Sequence, residues 1–205
     1  MSAPAPRPTM FLIAGPNGAG KTTFYETALR PRLAAPFINA DILQRDELKD
    51  PSVGAAYKAA KIAEHRRNAL IQSRRSFVTE TVFSHPSKLD LLKRARDAGF
   101  RLVVFHLHVA SADLAVARVK ARVEEGGHPV PEDKIRARYA RNQSLIRAAV
   151  LMADAGAVYD ASALNQAPSL LARTILGRAV FIARDPPIWF QQAYGASFSA
   201  PKAED

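Results

Sequence analysis

Met10-Phe11-Leu12-Ile13-Ala14-Gly15-Pro16-Asn17-Gly18-Ala19-Gly20-Lys21-Thr22-Thr23 is the stretch that decides the fold. Its first five residues form an apolar run that reads as a buried strand, and Gly15 to Thr22 satisfies G-x-x-x-x-G-K-[ST] without a mismatch. The segment from Thr22 to Leu29 then reads as a helix that Pro31 ends. A strand, a glycine-rich turn and a helix N-terminus aim several backbone N–H groups at one point, where the helix dipole also favours negative charge. That point is a phosphate site, and the loop is a P-loop. Glycines are required because side chains would hold the backbone away from the phosphates. The whole stretch Gly15, Pro16, Asn17, Gly18, Ala19, Gly20, Lys21, Thr22 and Thr23 is therefore expected to wrap the nucleotide. Lys21 would reach the β- and γ-phosphates, and the Thr22 hydroxyl would take one position on Mg²⁺.

The 205 residues suffice for one substantial α/β domain, with 48% hydrophobic and 23% charged residues, which is ordinary for a globular chain. Without cysteine there is no disulfide framework, thiolate nucleophile or cysteine zinc site. The Pro- and Ala-rich start and the short apolar run behind it resemble neither a signal peptide nor a membrane span, so a cytoplasmic protein is expected. A formal net charge of +10 points to an anionic partner, which could be a nucleotide, a phosphorylated metabolite or nucleic acid.

Alternating strand and helix patterns follow. Phe37 to Ala40 reads as a short strand and Ile42 to Leu48 as a short helix. Val53 to Arg74 has helical periodicity, and Ser76 to Thr79 reads as a strand with Glu80 at its end. Ser87 to Ala98 is a helix closed by Gly99, and Arg101 to Val109 is the strongest strand pattern in the chain. Ser111 caps a helix over Ala112 to Val123, Glu124 to Pro131 is a connection, and Glu132 to about Ala153 is the next helix. Ala157 to Tyr159 forms a strand ending at Asp160. Leu170 to Ile175 and Ala179 to Ala183 read as edge strands or a terminal hairpin, and Pro186 to Phe190 as a small helix. The predicted fold class is α/β, a three-layer P-loop architecture with a mostly parallel sheet covered on both faces and a helical lid. Residues 9–195 form one domain with the lid at about 122–138, flanked by loose tails at 1–8 and 196–205.

In open α/β sheets ligands collect at the carboxyl ends of strands, which gives Asp41 and Glu80 a functional reading. Phosphoryl transfer to a hydroxyl needs a carboxylate that orients the acceptor and takes its proton. Asp41 is the candidate, against the alternative that it merely caps the short helix. Glu80 could bind acceptor hydroxyls, order the water around Mg²⁺, or make a structural hydrogen bond. Arg118, Lys120, Arg122, Lys134, Arg136 and Arg138 bracket Gly126-Gly127. Arginines on a closing lid can neutralise the transferring phosphoryl group and exclude water, with a solvated basic face as the simpler reading. Arg122, Arg136 and Arg138 are the candidates, and His128 lies in the same segment. His106 and His108 alternate with apolar residues but lack a third ligand at a recognisable spacing, so they read as histidines satisfying backbone carbonyls rather than as a metal pair.

The succession G-P-N-G-A-G-K-T-T, I-N-A-D, S-F-V-T-E-T-V-F-S, G-G-H-P-V-P-E-D-K-I-R-A-R-Y and V-Y-D-A-S resembles the zeta toxin group of P-loop kinases, from about Met10 to Ser162. The resemblance implies a kinase that phosphorylates the sugar 3′-hydroxyl of UDP-N-acetylglucosamine with ATP or GTP and is restrained by an antitoxin. It places Lys21 and Thr22 at the phosphates and metal, makes Asp41 the catalytic base, and makes Glu80 a sugar contact. Glu64 matches a second acidic substrate contact. One lid arginine matches Arg122 or Arg118. The other falls near His128, so that Arg136 or Arg138 supplies its charge. Val82 stands where the toxins carry a hydroxyl residue, a departure that bears on the acceptor.

The reading is a Mg²⁺-dependent kinase acting on a small, nucleotide-sugar-like acceptor. The alternatives are a nucleic-acid-associated NTPase or polynucleotide kinase, which the lack of aromatic interleaving disfavours, and a nucleotide-binding module with little turnover.

Overall fold

The computed structural model describes residues 7–125, 127 and 129–198, so Gly126 and His128 lie outside the described residues. The first strand, β1 (Thr9–Ala14), feeds the P-loop. Lys21–Phe24 then forms the α-helical start of α1, which continues as a π-helical turn over Tyr25–Leu29. After β2 (Phe37–Ile38), α2 (Ala40–Ile42) also runs on as π-helix, over Leu43–Leu48. The crossover helix α3 (Val53–Gln72) leads to β3 (Phe77–Thr81), α4 (Ser87–Asp97) and β4 (Arg101–His108). Then come α5 (Ala112–Glu124), α6 (Glu132–Met152), β5 (Ala155–Asp160), β6 (Ser169–Ile175), β7 (Arg178–Ile182) and α7 (Ile188–Phe198).

The seven strands lie in the order β2-β3-β1-β4-β5-β6-β7. The first five are parallel, each joined to the next by a helical crossover, while β6 and β7 add an antiparallel hairpin at one edge. The expected terminal hairpin is thus the edge of the same sheet. Because side chains alternate across a strand, Met10 and Leu12 face one layer and Ile13 the other. The first layer holds α3, α4, α6 and α7, with Ala59, Ala63, Leu92, Ile146 and Tyr194 in its core. The second holds α1 and α5, with Phe24, Val116 and Val119 packed on Ile13, Val78 and Leu107.

Three boundaries differ from the sequence reading. Glu80 belongs to β3, in register with Ile13, because the strand continues to Thr81. The last helix runs to Phe198, into the segment expected to be a tail, because Phe198 stacks on Tyr194 with ring centroids 5.1 Å apart. In the expected N-terminal tail, Arg7 donates to the Gly99 and Phe100 carbonyls, at 3.0 and 2.7 Å.

Candidate active site

The P-loop closes over the helix end because its glycines stand where no other residue fits. A Cβ on Gly15 would approach the Leu107 carbonyl oxygen to 2.0 Å. Gly18 and Gly20 have φ of 76° and 72°, the left-handed region that glycine enters without steric cost. Gly20 is also the N-cap of α1, so the first helical residue is Lys21. Thr23, the next residue but one, is exposed.

Lys21 is 7% exposed, and its Nζ donates to the Pro16 carbonyl at 2.9 Å while standing 3.7 Å from Glu80 Oε1. Burial lowers its pKa, and the Glu80 and Asp41 carboxylates pull it back up. Val78 and Glu80 alternate with Phe77 and Thr79, which aims Glu80 at the layer that holds α1. There its other oxygen accepts from the Thr22 hydroxyl at 2.8 Å and from Asn39 Nδ2 at 2.7 Å. One carboxylate thus gathers an ammonium and a hydroxyl from the start of α1 and an amide from the turn after β2. These oxygens suit Mg²⁺, which takes hard oxygen ligands and binds through one or two carboxylates together with substrate phosphates.

Asn39 was not singled out in the sequence, although an Asn two residues before an Asp at a strand-to-helix turn is an N-cap signal. It is buried, and its Oδ1 accepts from the backbone N–H of Asp41 at 2.8 Å and of Ile42 at 3.3 Å. Asn39, not Asp41, is therefore the cap, which corrects the alternative reading of Asp41. The Asp41 carboxylate is exposed and makes no hydrogen bond or ion pair among the described residues, while its field reaches Lys21.

The candidate lid residues separate. Arg118 donates to four backbone carbonyls: Gly18 at 3.4 Å, Ala161 at 2.5 Å, Ser162 at 2.9 Å and Ala163 at 3.0 Å. It ties the P-loop to the end of β5. Arg122 is close enough to depress the Lys21 pKa electrostatically. Arg136 sits on the surface between Asp113, 2.7 Å away, and Glu132, 2.8 Å away. Arg138 is half-buried one helical turn before Asn142, whose Nδ2 donates to the Val82 carbonyl at 3.4 Å beyond the end of β3. That helix turn reaches the segment beyond β3, whereas Arg136 is held by the surface carboxylates. Glu64 is exposed on α3, where its charge acts on Arg67 and Lys88. His128 lies outside the described residues.

His106 and His108 bond side chains rather than the expected carbonyls. His106 Nδ1 meets the Tyr194 hydroxyl at 2.8 Å, and His108 Nε2 meets that of Tyr139 at 3.0 Å. Trp189 packs on both rings, 5.9 and 4.4 Å away by centroid. Burial lowers the pKa of His106 well below the ordinary range and that of His108 to about 4. Among the described residues no group of three or more His, Cys, Asp or Glu could hold a metal ion.

A mostly parallel sheet with the P-loop after its central strand, an acidic residue on the neighbouring β3 and a carboxylate in α2, just after β2, has the P-loop kinase fold. The family model for the zeta toxins matches residues 2–162, and the chain belongs to that family. An uncharacterised Haemophilus influenzae protein is 30% identical over 129 residues, covering 61% of this chain and 88% of its own. The AvrRxo1-ORF1:AvrRxo1-ORF2 complex with sulphate ions superposes with a TM-score of 0.69 at 14% identity, over 98% of this chain and 67% of that one. The same complex with ATP gives 0.65 at 15%, over 84% and 60%. The PezAT toxin-antitoxin system of Streptococcus pneumoniae gives 0.60 at 14%, over 98% and 82%. Among the described residues no helix is long and apolar enough to cross a membrane.

Proposed function

We propose that the chain is a Mg²⁺-dependent phosphotransferase that moves the γ-phosphoryl group of ATP or GTP to a hydroxyl of a small acceptor of the nucleotide-sugar kind. The observation that carries this reading is the pairing of a neutralised phosphate cradle with an uncommitted carboxylate. Lys21, Thr22, Asn39 and Glu80 satisfy one another, while the Asp41 carboxylate beside them makes no hydrogen bond or ion pair among the described residues. Family membership and the ATP held by the AvrRxo1 complex support the nucleotide donor.

In this reading, Asp41 accepts the proton of the acceptor O–H as the oxygen attacks the γ-phosphorus, and the nucleoside diphosphate leaves. Lys21 exchanges its Pro16 carbonyl for phosphate oxygens, and the P-loop N–H groups hold the β-phosphate as negative charge develops there. Thr22 and Glu80 would hold Mg²⁺, which supplies charge neutralisation and alignment when bound. Arg122 and Arg138 approach the transferring group from α5 and α6. Since a Tyr139–His108 contact anchors α6 below Arg138, its approach is set by the helix rather than by a loop.

The test is incubation with [γ-³²P]ATP and a panel of UDP-sugars, with mass spectrometry of the products. Label in a sugar hydroxyl is expected. Unchanged UDP-N-acetylglucosamine would remove that acceptor, and no label in any small acceptor would remove the kinase reading. The net charge of +10 favours a polynucleotide kinase as the second reading. Tight oligonucleotide binding that falls steeply with salt would support it. Because AvrRxo1-ORF1 and the PezAT toxin were solved in systems with a partner, a protein antitoxin is proposed as well. Growth arrest on expression, relieved by co-expressing an adjacent gene, is the expected outcome.

A further inference from the structure

The β6–β7 hairpin lies beyond residue 162, where the family match ends, and its surface is unusual for a sheet edge. Among the described strands β7 pairs only with β6, so its far side is open. Open edges are ordinarily guarded by charges, proline, a bulge or a covering element. Here the guard is a bulge at Val180, which has no partner while Arg173 faces Phe181 and Thr174 faces Ala179. Val180, Phe181 and Ile182 are nevertheless consecutive, uncharged and exposed, Val180 at 58%. Because the Ala183 N–H donates to the Leu171 carbonyl at 2.8 Å, strand alternation turns the Ile182 N–H away from β6, toward the open side.

The tip of the hairpin carries a second anomaly. Its two-residue turn, Leu176-Gly177, has φ of 50° and 76°, the geometry that selects Asn-Gly. A leucine there is conformationally costly, and Leu176 is also 72% exposed and belongs to neither core cluster. The tip is held in place all the same. The Leu176 N–H donates to the Asp154 carbonyl at 3.0 Å, and a Cβ on Gly177 would come within 2.3 Å of the Leu151 carbonyl oxygen. A fixed, strained and solvent-facing leucine adds nothing to the core, but it is a preorganised apolar contact for a second molecule.

Charge identifies the kind of molecule. From Ser169 to Asp185 the chain carries Arg173, Arg178 and Arg184 against a single acid, Asp185. Elsewhere Arg30, Arg66 and Arg136 pair with surface carboxylates. Among the described residues the side chains of Arg178 and Arg184 make no hydrogen bond or ion pair, and Arg173 lies over the Phe181 ring, 5.6 Å from its centroid. We propose that the β6–β7 hairpin is a docking surface for an extended, acidic segment of a partner protein, which adds a strand to the open edge of β7 and packs apolar side chains against Leu176, Val180 and Ile182. Carboxylates on that segment would neutralise the arginines. A second copy would instead bring two sets of arginines together on chains of formal charge +10 each, and nucleic acid would leave the aliphatic side chains in water. β7 stands four strand spacings from β1, about 19 Å, so a segment seated there leaves the P-loop open, and the inference is independent of the kinase reading.

The test titrates the whole protein into labelled peptides in which valine alternates with glutamate, lysine or serine, followed by fluorescence anisotropy. The Glu-Val peptide is expected to bind most tightly, and the double variant Arg178→Glu/Arg184→Glu to prefer Lys-Val instead. Leu176→Asn, which removes an apolar contact, and Ile182→Pro, which removes the outward N–H, should each weaken Glu-Val binding by about tenfold or more. Asparagine suits the turn, so Leu176→Asn should melt no lower than wild type, which separates lost binding from lost fold even if Ile182→Pro does not fold. Affinity for a non-hydrolysable ATP analogue should be unchanged in all variants. Equal binding of the three peptides, or Leu176→Asn binding Glu-Val like wild type, would overturn the surface. Displacement of the Glu-Val peptide by a single-stranded oligonucleotide would overturn the acidic partner in favour of nucleic acid. A dimer in sedimentation that Leu176→Asn dissociates would overturn it in favour of a second copy.

Discussion

Two groups of polar side chains sit on adjacent parts of one sheet and follow opposite rules. On the β3–β1 side, Lys21, Thr22, Asn39 and Glu80 meet at the carboxyl ends of the strands, where each polar group is paired. On β4, His106 and His108 lie under α6 and α7, fully buried, and are kept neutral by the cost of desolvation. Strand position accounts for the contrast. Glu80 is next to last in a strand whose end opens onto the P-loop, whereas the histidines point into the layer that Trp189, Tyr139 and Tyr194 close. A charge is retained where a phosphate or metal can share it, and given up where only aromatic rings surround it.

The contrast can be broken at either end. The largest effect is expected at Lys21. Lys21→Ala should lose on the order of 10²–10³ in transfer rate together with nucleotide affinity, because the group stabilises charge in both states. Single-turnover kinetics and nucleotide titration check this, and unimpaired nucleotide binding would count against the cradle.

The second effect lies on the histidine side. The folded-state pKa of His108, about 4, is below its ordinary 6.5, so between those values the unfolded chain binds the proton and the folded chain does not. Stability should therefore fall as pH drops from 6.5 to about 4, by roughly 3 kcal/mol from this residue, with His106 adding in the same direction. Urea unfolding across that range should show a shallower pH slope in His108→Gln. An equal slope would mean that His108 is not held neutral.

The smallest effect probes the join between the cradle and Asp41. Asn39→Ala removes the cap of α2 and one donor to Glu80, and should cost about 1–2 kcal/mol of stability. If Asn39 sets the position of Asp41, Asn39→Asp should keep the cap but lower transfer, since a second carboxylate would then face Glu80.

These features were unequally legible in the sequence. The β1–P-loop–α1 unit can be read from glycine spacing because close backbone approach leaves no alternative residue. The long helices follow from local periodicity, as does the α/β order. Asn39 escaped because capping and catalysis both favour Asn and Asp at a strand-to-helix turn, and only the geometry separates the two roles. The partners of His106 and His108 come from α6 and α7, far along the chain, and strand alternation gives a face but not what covers it. Arg67 was not singled out, since helical spacing alone does not reveal which of two adjacent stripes of α3 packs inward. Arg136 and Arg138, two positions apart on α6, differ in direction by the helix turn, which is why one meets surface carboxylates and the other is half-buried.

The central proposal is that the Asp41 carboxylate, which has no structural partner among the described residues, handles the acceptor proton. Asp41→Asn preserves size and removes the base. Measured side by side, nucleotide affinity should stay near wild type while transfer of the γ-phosphoryl group to the acceptor falls by about 10²–10⁴-fold, the usual contribution of a general base. Turnover at the wild-type rate would contradict the account, and the uncommitted carboxylate would then need another explanation.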